Sequence, residues 1–235
     1  YTEGIMVENG MIAHGRGEAF DYLLGELTIP EASKATKVAA AALLLANNPI
    51  ISVNGNVATL APKEVVKLAE SVGAKIEVNL FHRTLEREIA IMKKMKTCGA
   101  KEVLGVGKAA SSELKGLESS RRWVDPEGIM TADTVLAPLE DGDRTAALRK
   151  AGKTVITIDL NPLSRTAQMA SITIVDNIVR AMPLIVEEST ILKKIDKNDL
   201  KDMIKRFDNK VNLDKSLGYI ANRLQKIAST RVNSQ

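Results

Sequence analysis

Residues 134–160 read Thr134-Val-Leu-Ala-Pro-Leu139, a polar break Glu140-Asp-Gly-Asp143, the stretch Arg144-Thr-Ala-Ala-Leu-Arg-Lys-Ala151, then Gly-Lys and Thr154-Val-Ile-Thr-Ile-Asp-Leu160. An apolar, β-branched run, a helix-forming stretch and a second apolar run specify a strand, a crossover helix and a parallel strand. The same punctuation continues on either side. Upstream, Ile50 to Val53 reads as a strand, Pro62 to Val72 as an amphipathic helix closed by Gly73, and Lys75 to Phe81 as a strand. Arg83 to Thr97 follows as a charged helix closed by Gly99, and Glu102 to Val106 as a further strand. Downstream, a short helix over Leu163 to Met169 leads to a strand over Ile172 to Val175 and a helix from Ile178 onward. Five or six short strands separated by helices predict an α/β fold: a Rossmann-like, doubly wound, mainly parallel sheet with helices on both faces.

The flanks are different in kind. Thr28-Ile29-Pro30-Glu31 has the form of a capping box, and the alanine- and leucine-rich stretch after it predicts a helix to Ala46, ended by Asn47-Asn48-Pro49. Apolar nearly all round in its second half, that helix belongs in the core. Gly107 to Met130, with serines, charges, Trp123 and Asp125-Pro126, shows weak periodicity and reads as an irregular excursion with one helical turn. The tail carries helical patches at Leu200 to Phe207 and Leu217 to Ile227. We expect one α/β domain over residues 1–190 and a helical C-terminal extension over 191–235, packed on the same domain or on a second subunit.

Composition narrows the class. The formal charge of +4 in 235 residues is spread along the chain and aromatics are only 3%, so stacking platforms for nucleic acid are few and an anionic small molecule suits the balance better. One cysteine, Cys98, excludes an intrachain disulfide framework, and two histidines make no cluster with zinc-ligand spacing. A reducing, cytoplasmic setting is expected. The longest apolar run, Val38 to Ala46, is about half the ~20 residues of a membrane-spanning helix, and no signal segment opens the chain.

In doubly wound folds ligands bind beyond the carboxyl ends of the strands, and here those ends are unusually polar. Ser52-Val53-Asn54-Gly55-Asn56, Asn79-Leu80-Phe81-His82-Arg83-Thr84, Glu140-Asp141-Gly142-Asp143-Arg144-Thr145, Asp159-Leu160-Asn161-Pro162-Leu163-Ser164-Arg165-Thr166 and Asp176-Asn177 each follow a run. Singly, each has a structural reading: Asn-Gly forms turns, Asp143 suits an N-cap, and Asn161-Pro162 opens a helix. Capping alone does not call for Arg83, Arg144 and Arg165 on the same edge. A helix starting near Pro162 would turn its free N–H groups, the Arg165 guanidinium and the Thr166 hydroxyl into the crevice as a phosphate site. Asp159 and Asn161 beside it would hold a ribose hydroxyl or a base edge. Neither G-x-x-x-x-G-K-[ST] nor G-x-G-x-x-G is present.

Residues 14–22, His-Gly-Arg-Gly-Glu-Ala-Phe-Asp-Tyr, set an imidazole, a guanidinium, two carboxylates and a phenol around two glycines. The mixture reads either as a ligand loop, with Arg16 offering a fork of donors to a phosphate or carboxylate, or as an ordinary surface turn. There is no G-x-S-x-G elbow, and Cys98 sits at a helix end, where a packed thiol is the simpler reading. His14 and His82 remain as acid/base candidates.

Together, Gly10-Met11-Ile12-Ala13 with HGRGEAFDYLLGE (14–26), PIISVNGNVATLAP (49–62), KIEVNLFHRT (75–84), GAKEVLGV (99–106), LEDGDRTAAL (139–148) and TIDLNPLSRTAQMASITIVDNIVRAMP (157–183) resemble one family. It is the archaeal phosphopantothenate synthetase, or 4-phosphopantoate–β-alanine ligase, family, and the likeness extends over most of residues 3–190. The resemblance implies a homodimeric enzyme of coenzyme A synthesis that joins 4-phosphopantoate to β-alanine and splits ATP to AMP and pyrophosphate. It implies ATP contacts at Arg16, Asp159, Leu160, Asn161, Arg165, Thr166, Asp176 and Asn177, and a further N-terminal segment ahead of the part present here.

The chemistry agrees. A carboxylate must be activated before an amine attacks it, and an acyl-adenylate does this through positioning and charge stabilisation, without an enzyme nucleophile. His82, Arg83, Asp143 and Arg144 are the candidates for the chemical step, with Asn54, Asn56 and Thr145 for binding 4-phosphopantoate and β-alanine. Magnesium is expected with ATP, beside Asp141 or Asp143. The rival readings are a non-catalytic nucleotide-binding regulator and, disfavoured by the missing glycine fingerprint, an oxidoreductase.

Overall fold

The computed structural model describes residues 1–232. In chain order these form α1 (Glu8–Leu24), α2 (Pro30–Leu45), β1 (Pro49–Val53), α3 (Gly55–Leu60), α4 (Pro62–Val72), β2 (Lys75–Val78), α5 (Leu85–Thr97), β3 (Ser112–Glu113), β4 (Trp123–Val124), β5 (Thr134–Leu136), α6 (Gly142–Lys150), β6 (Thr154–Ile158), α7 (Arg165–Met169), β7 (Ile172–Ile174), α8 (Ile178–Leu192), α9 (Lys197–Lys205) and α10 (Asn209–Val232). The main sheet has five parallel strands in the order β2-β1-β5-β6-β7. β3 and β4 pair antiparallel outside it. The chain steps from β1 outward to β2, returns across β1 to β5, and continues through β6 to β7. That reversal sets the switch point between β1 and β5, where the helices leave opposite faces and a crevice opens.

Strand register divides the apolar residues between two cores. Ile51, Leu136, Ile156 and Ile172 lie in line across the sheet and pack into the larger one, with α2, α4 and α8. Their neighbours Ile50, Val135 and Val155 point the other way. There they meet Ala147 and Leu148 of α6, and Leu114, Leu117, Val124, Ile129 and Ala132. The irregular segment after residue 107 therefore takes the place of a covering helix on the second face.

The doubly wound reading holds, and the differences are local. The capping box does not form: α2 begins after Ile29, and the Thr28 hydroxyl donates instead to Asp176 Oδ2 at 2.6 Å. The strand expected over 102–106 shrinks to one bridge, Leu104 to Glu77, because Gly105 turns away at φ 78°. The excursion holds two short 3-10 turns, Gly107–Ala109 and Ser120–Arg122, and the unforeseen β3–β4 pair. Residues 14–22 are not a loop but the middle of α1, and Gly15 and Gly17 need no positive φ. In the tail, α9 packs against α2, and α10 against α1, α2 and α7.

Candidate active site

A crevice of about 810 Å3 opens over the carboxyl ends of β1, β2, β5 and β6, with α1 as its outer wall. Its β6 wall is built by neighbours in sequence. Asp159 Oδ1 accepts from Asn161 N at 2.9 Å, its Oδ2 accepts from the Ser164 hydroxyl, and Asn161 Oδ1 accepts from Leu163 N at 2.9 Å. Burial pushes the Asp159 carboxyl above the ordinary aspartate value, opposed by the Ser164 and Asn161 bonds and by the nearby charge of Arg16. α7 starts at Arg165 with Ser164 as its cap, not near Pro162. Ser164 Oγ takes the Ala167 N–H at 2.9 Å, so that donor is not free at the start of the helix. Thr166 donates its hydroxyl to Glu140 O at 2.9 Å, and exposed Arg165 lies 2.5 Å from Asp143. Both still line the crevice, as do Leu160 and Arg16.

Asp176 and Asn177 do not reach the crevice; they seat the helix that carries Arg16. α1 buries only Asp21 and Leu24, so it lacks the apolar stripe that usually docks a helix. Arg180 grips Asp21 with both arms at 2.5 and 3.1 Å, and Asn177 Nδ2 donates to Asp21 at 2.8 Å and to Glu18 at 3.0 Å. Arg180 also donates to Asp176 at 2.9 Å. Burial acts to raise the Asp21 carboxyl, but the bonds from Arg180 and Asn177 outweigh it and hold it below the ordinary value. His14 lies 3.0 Å from Glu18.

At the switch point Asn54 joins the two central strand ends. Its Oδ1 accepts from Val57 N, capping α3, and its amide donates to Pro138 O and Leu139 O, each at 3.1 Å. Leu139 sits at φ 52°, a conformation that L side chains seldom adopt and that the loop around a ligand site often imposes. Asn56 Nδ2 donates to Gly10 O at 3.2 Å, tying α3 to α1. Gly55 is required, since a Cβ there would lie 2.6 Å from Ile5 O. Asp141, rather than Asp143, caps α6 by accepting from Arg144 N at 2.8 Å. Thr145 is buried and gives its hydroxyl to Asp141 O at 2.9 Å, away from the crevice wall.

The β2 wall departs most from expectation. His82 faces the crevice, 3.4 Å from Asn9 Nδ2. Arg83 turns out of it, bonded to Glu88 and to Gly107 O at 3.2 Å, and lines a separate hollow of about 550 Å3. Arg144 is fully buried beneath the floor, held by Glu140 and by Ser52 Oγ at 3.0 Å, and so does not touch a ligand. Two unforeseen arginines take their places. Arg87 comes from the first turn of α5 and donates to Ile5 O at 2.9 Å and to His82 O. Arg121 comes from the excursion and meets Glu140, with Asp141 Oδ2 3.4 Å away. Burial, then the like charge of Arg144, push the Arg121 guanidinium down to about 9, and burial pushes Arg144 to about 10. Both stay cationic at neutral pH.

Glu77, on β2, pins the excursion from below. Its carboxylate accepts from Asp125 N at 3.0 Å and Ile129 N at 2.5 Å, while Asp125 Oδ2 accepts from Gly105 N at 3.1 Å. Burial raises its carboxyl to about 7, against those two bonds. A Cβ at Gly128 would overlap the Glu77 carboxylate, so only glycine serves there. Nothing local marks these residues: Arg121 lies in a segment without periodicity, and its partner is 19 positions on. The available signal is Glu77 set between Ile76 and Val78 in β2.

Among the described residues no group of three or more His, Cys, Asp or Glu is placed to cage a metal ion. A magnesium ion carried by a nucleotide's phosphates needs only one or two carboxylates, and Asp141 Oδ2, buried without a hydrogen-bond partner, fits that role.

Fold and crevice define a class: a doubly wound α/β protein whose switch-point crevice is walled by guanidinium groups and suited to anionic ligands. A family model described as phosphopantothenate/pantothenate synthetase matches residues 31–223. The chain is 51% identical over 227 residues to the 4-phosphopantoate–beta-alanine ligase of Thermococcus onnurineus, covering 96% of this chain and 86% of that one. To the protein of that name from Methanosarcina mazei it is 52% identical over 226 residues, 96% and 88% of the two chains. To that from Methanospirillum hungatei it is 45% identical over 228, 97% and 91%. The chain belongs to the phosphopantothenate/pantothenate synthetase family. Among the described residues no helix is long and apolar enough to cross a membrane.

Proposed function

We propose that this chain is an ATP-dependent, amide-forming ligase. It condenses (R)-4-phosphopantoate with β-alanine to 4'-phosphopantothenate in coenzyme A biosynthesis, releasing AMP and diphosphate through an acyl-adenylate. The observation that carries the reading is the single crevice holding Arg16, Asp159, Leu160, Asn161, Arg165 and Thr166 together beside the switch point; the name that the relatives carry supports it.

In this reading Arg16 and Arg165 hold the ATP phosphates, and Asp159 with Asn161 holds the nucleoside. A carboxylate oxygen of 4-phosphopantoate attacks the α-phosphorus, the bond to the bridging oxygen breaks, and diphosphate leaves with that electron pair. The β-alanine amine then attacks the acyl carbon, AMP departs, and His82 takes the amine proton. Asn54 and Asn56 keep the loops over which the bond forms in register, and Arg144 acts from beneath through Glu140. Magnesium, when bound, neutralises phosphate charge, with Asp141, and Asp143 behind it, as the carboxylates that would hold it or its waters. A homodimer in the cytoplasm belongs to the same reading, and light scattering tests the dimer.

The test incubates the protein with ATP, magnesium, 4-phosphopantoate and β-alanine and follows the nucleotide products. AMP and diphosphate in equal amounts are expected, appearing only when both other substrates are present. ADP and phosphate would sink the adenylate route, and ATP binding with no turnover would overturn the ligase reading.

A further inference from the structure

α1 carries Arg16 to the crevice, yet little that is apolar holds this helix. Leu24, its last residue, is its one buried apolar side chain, with Phe20 and Leu23 partly buried beside it. Gly10, Gly15 and Gly17 lower its intrinsic helicity further. Where an apolar stripe would run, His14, Glu18 and Asp21 share one face instead. Asn177 and Arg180, at the start of α8, bond Glu18 and Asp21 of that face. Arg180 joins two buried carboxylates, Asp21 by both arms and Asp176 through Nε, while the other oxygen of Asp176 takes the Thr28 hydroxyl. Nearer the ends of α1, Asn56 and Arg223 bond the backbone oxygens of Gly10 and Tyr22, and Asn9 meets His82 at 3.4 Å. Backbone oxygens point along a helix axis and leave rotation about that axis open, whereas a fork gripping one side chain fixes it.

We propose that Arg180 is a positioning residue for nucleotide binding: its grip on Asp21 sets the rotation of α1, and so the point from which Arg16 reaches the ATP phosphates. The inference rests on the nucleotide reading of Arg16 above. Arg16 lines the crevice, while neither Arg180 nor Asp21 does, so the grip acts through the helix and not through a contact with the ligand. Asp21 follows Arg16 by five residues, about 7.5 Å along the axis. Over that distance a helix turns as one body, and a loosened fork at Asp21 displaces the guanidinium of Arg16. Binding then loses the pre-set geometry that makes a charge-assisted bond strong.

The experiment makes Arg180→Gln in the full chain, alone and combined with Arg16→Ala, and confirms folding by circular dichroism. A non-hydrolysable ATP analogue is titrated calorimetrically on wild type and the three variants. With Arg16 present, Arg180→Gln should weaken the analogue about 5- to 30-fold, less than the loss of Arg16 itself. With Arg16 already alanine, the same change should cost under about twofold, because the group it positions is gone. Under turnover KM for ATP should rise, while KM for 4-phosphopantoate holds within about twofold. Equal losses in the two backgrounds, or equal rises in both KM values, would assign Arg180 a general structural role and overturn the proposal, as would an unchanged affinity with Arg16 present. Should Arg180→Gln not fold, the isosteric Asp21→Asn breaks the same grip from the other side and is put through the same cycle. Should Arg16→Ala itself leave the affinity unchanged, the nucleotide reading of Arg16 fails on its own, and amide hydrogen exchange of wild type and Arg180→Gln still decides the grip: equal protection of α1 overturns it.

Discussion

The β6 wall of the crevice is assembled from neighbours: Asp159 holds Asn161 and Ser164, Asn161 holds Leu163, and Ser164 caps the helix carrying Arg165 and Thr166. The β2 wall is assembled from strangers, with Arg121 meeting Glu140, Glu77 meeting Ile129 and Arg87 meeting Ile5. The first wall consists of turns that form from local bonds and tolerate water. The second consists of buried charges that exist only when the whole second layer is in place. The two walls should therefore fail in different ways.

The largest effect should come from Glu140→Ala. Its side chain, 1% exposed, lies between Arg121 and Arg144, and removing it leaves two buried guanidiniums short of a counter-charge. A loss of about 3–5 kcal/mol in urea unfolding is expected. A loss below ~1 kcal/mol would mean that the β2 wall is not held by buried charge, and the contrast with the β6 wall would vanish.

Next comes a pH effect on the same wall. The Glu77 carboxyl is raised in the folded protein from 4.5 to about 7, so between those values the native state holds a proton that the unfolded chain has released. Stability from this group is full below 4.5, and falls by on the order of 3 kcal/mol as pH rises through 7. Glu77→Gln should remove that slope from the unfolding free energy. An unchanged slope would place its origin elsewhere. Asp21, with its depressed carboxyl, gives the β6 side the opposite sign: its contribution is present above the unfolded value and is lost only as pH falls below the ordinary aspartate range.

Arg16→Ala should leave the unfolding midpoint in place, since the side chain is exposed, yet weaken ATP about 10- to 100-fold by calorimetry. Unchanged affinity would remove Arg16 from the β6 wall. The smallest effect is expected from Asp143→Asn. Its pair with Arg165 is two-thirds exposed, so stability should change by under ~1 kcal/mol. A larger change would show that the β6 wall also depends on charge pairing.

The contrast also explains what could be read from the chain alone. Alternating strands and helices, the parallel sheet and the β6 wall were legible because period, turn residues and caps act over a few positions. Arg83 and Arg144 were expected in the crevice because they follow the right strands. Only the burial of Arg144 and the turn of Arg83 toward Glu88 decide otherwise, and both depend on partners far along the chain or on the path of the excursion. Gly15 and Gly17 misled for a related reason. Two glycines around an arginine read as a loop, whereas Asn177 and Arg180 supply the tertiary grip that keeps the segment helical.

That grip has a consequence for synthesis. α1 leaves the ribosome long before α8 and α10, yet its seat consists of Arg180 and Asn177 from the one and Arg223, which donates to Tyr22 O at 3.2 Å, from the other. Asn56 ties the first turn of α1 to α3, but the rest of the seat of the helix bearing Arg16 comes from residues that follow β7. A fragment ending before residue 177 therefore has its central strands but lacks the Asn177 and Arg180 bonds that seat the outer wall of the crevice, and we expect it to bind ATP less tightly than the full chain.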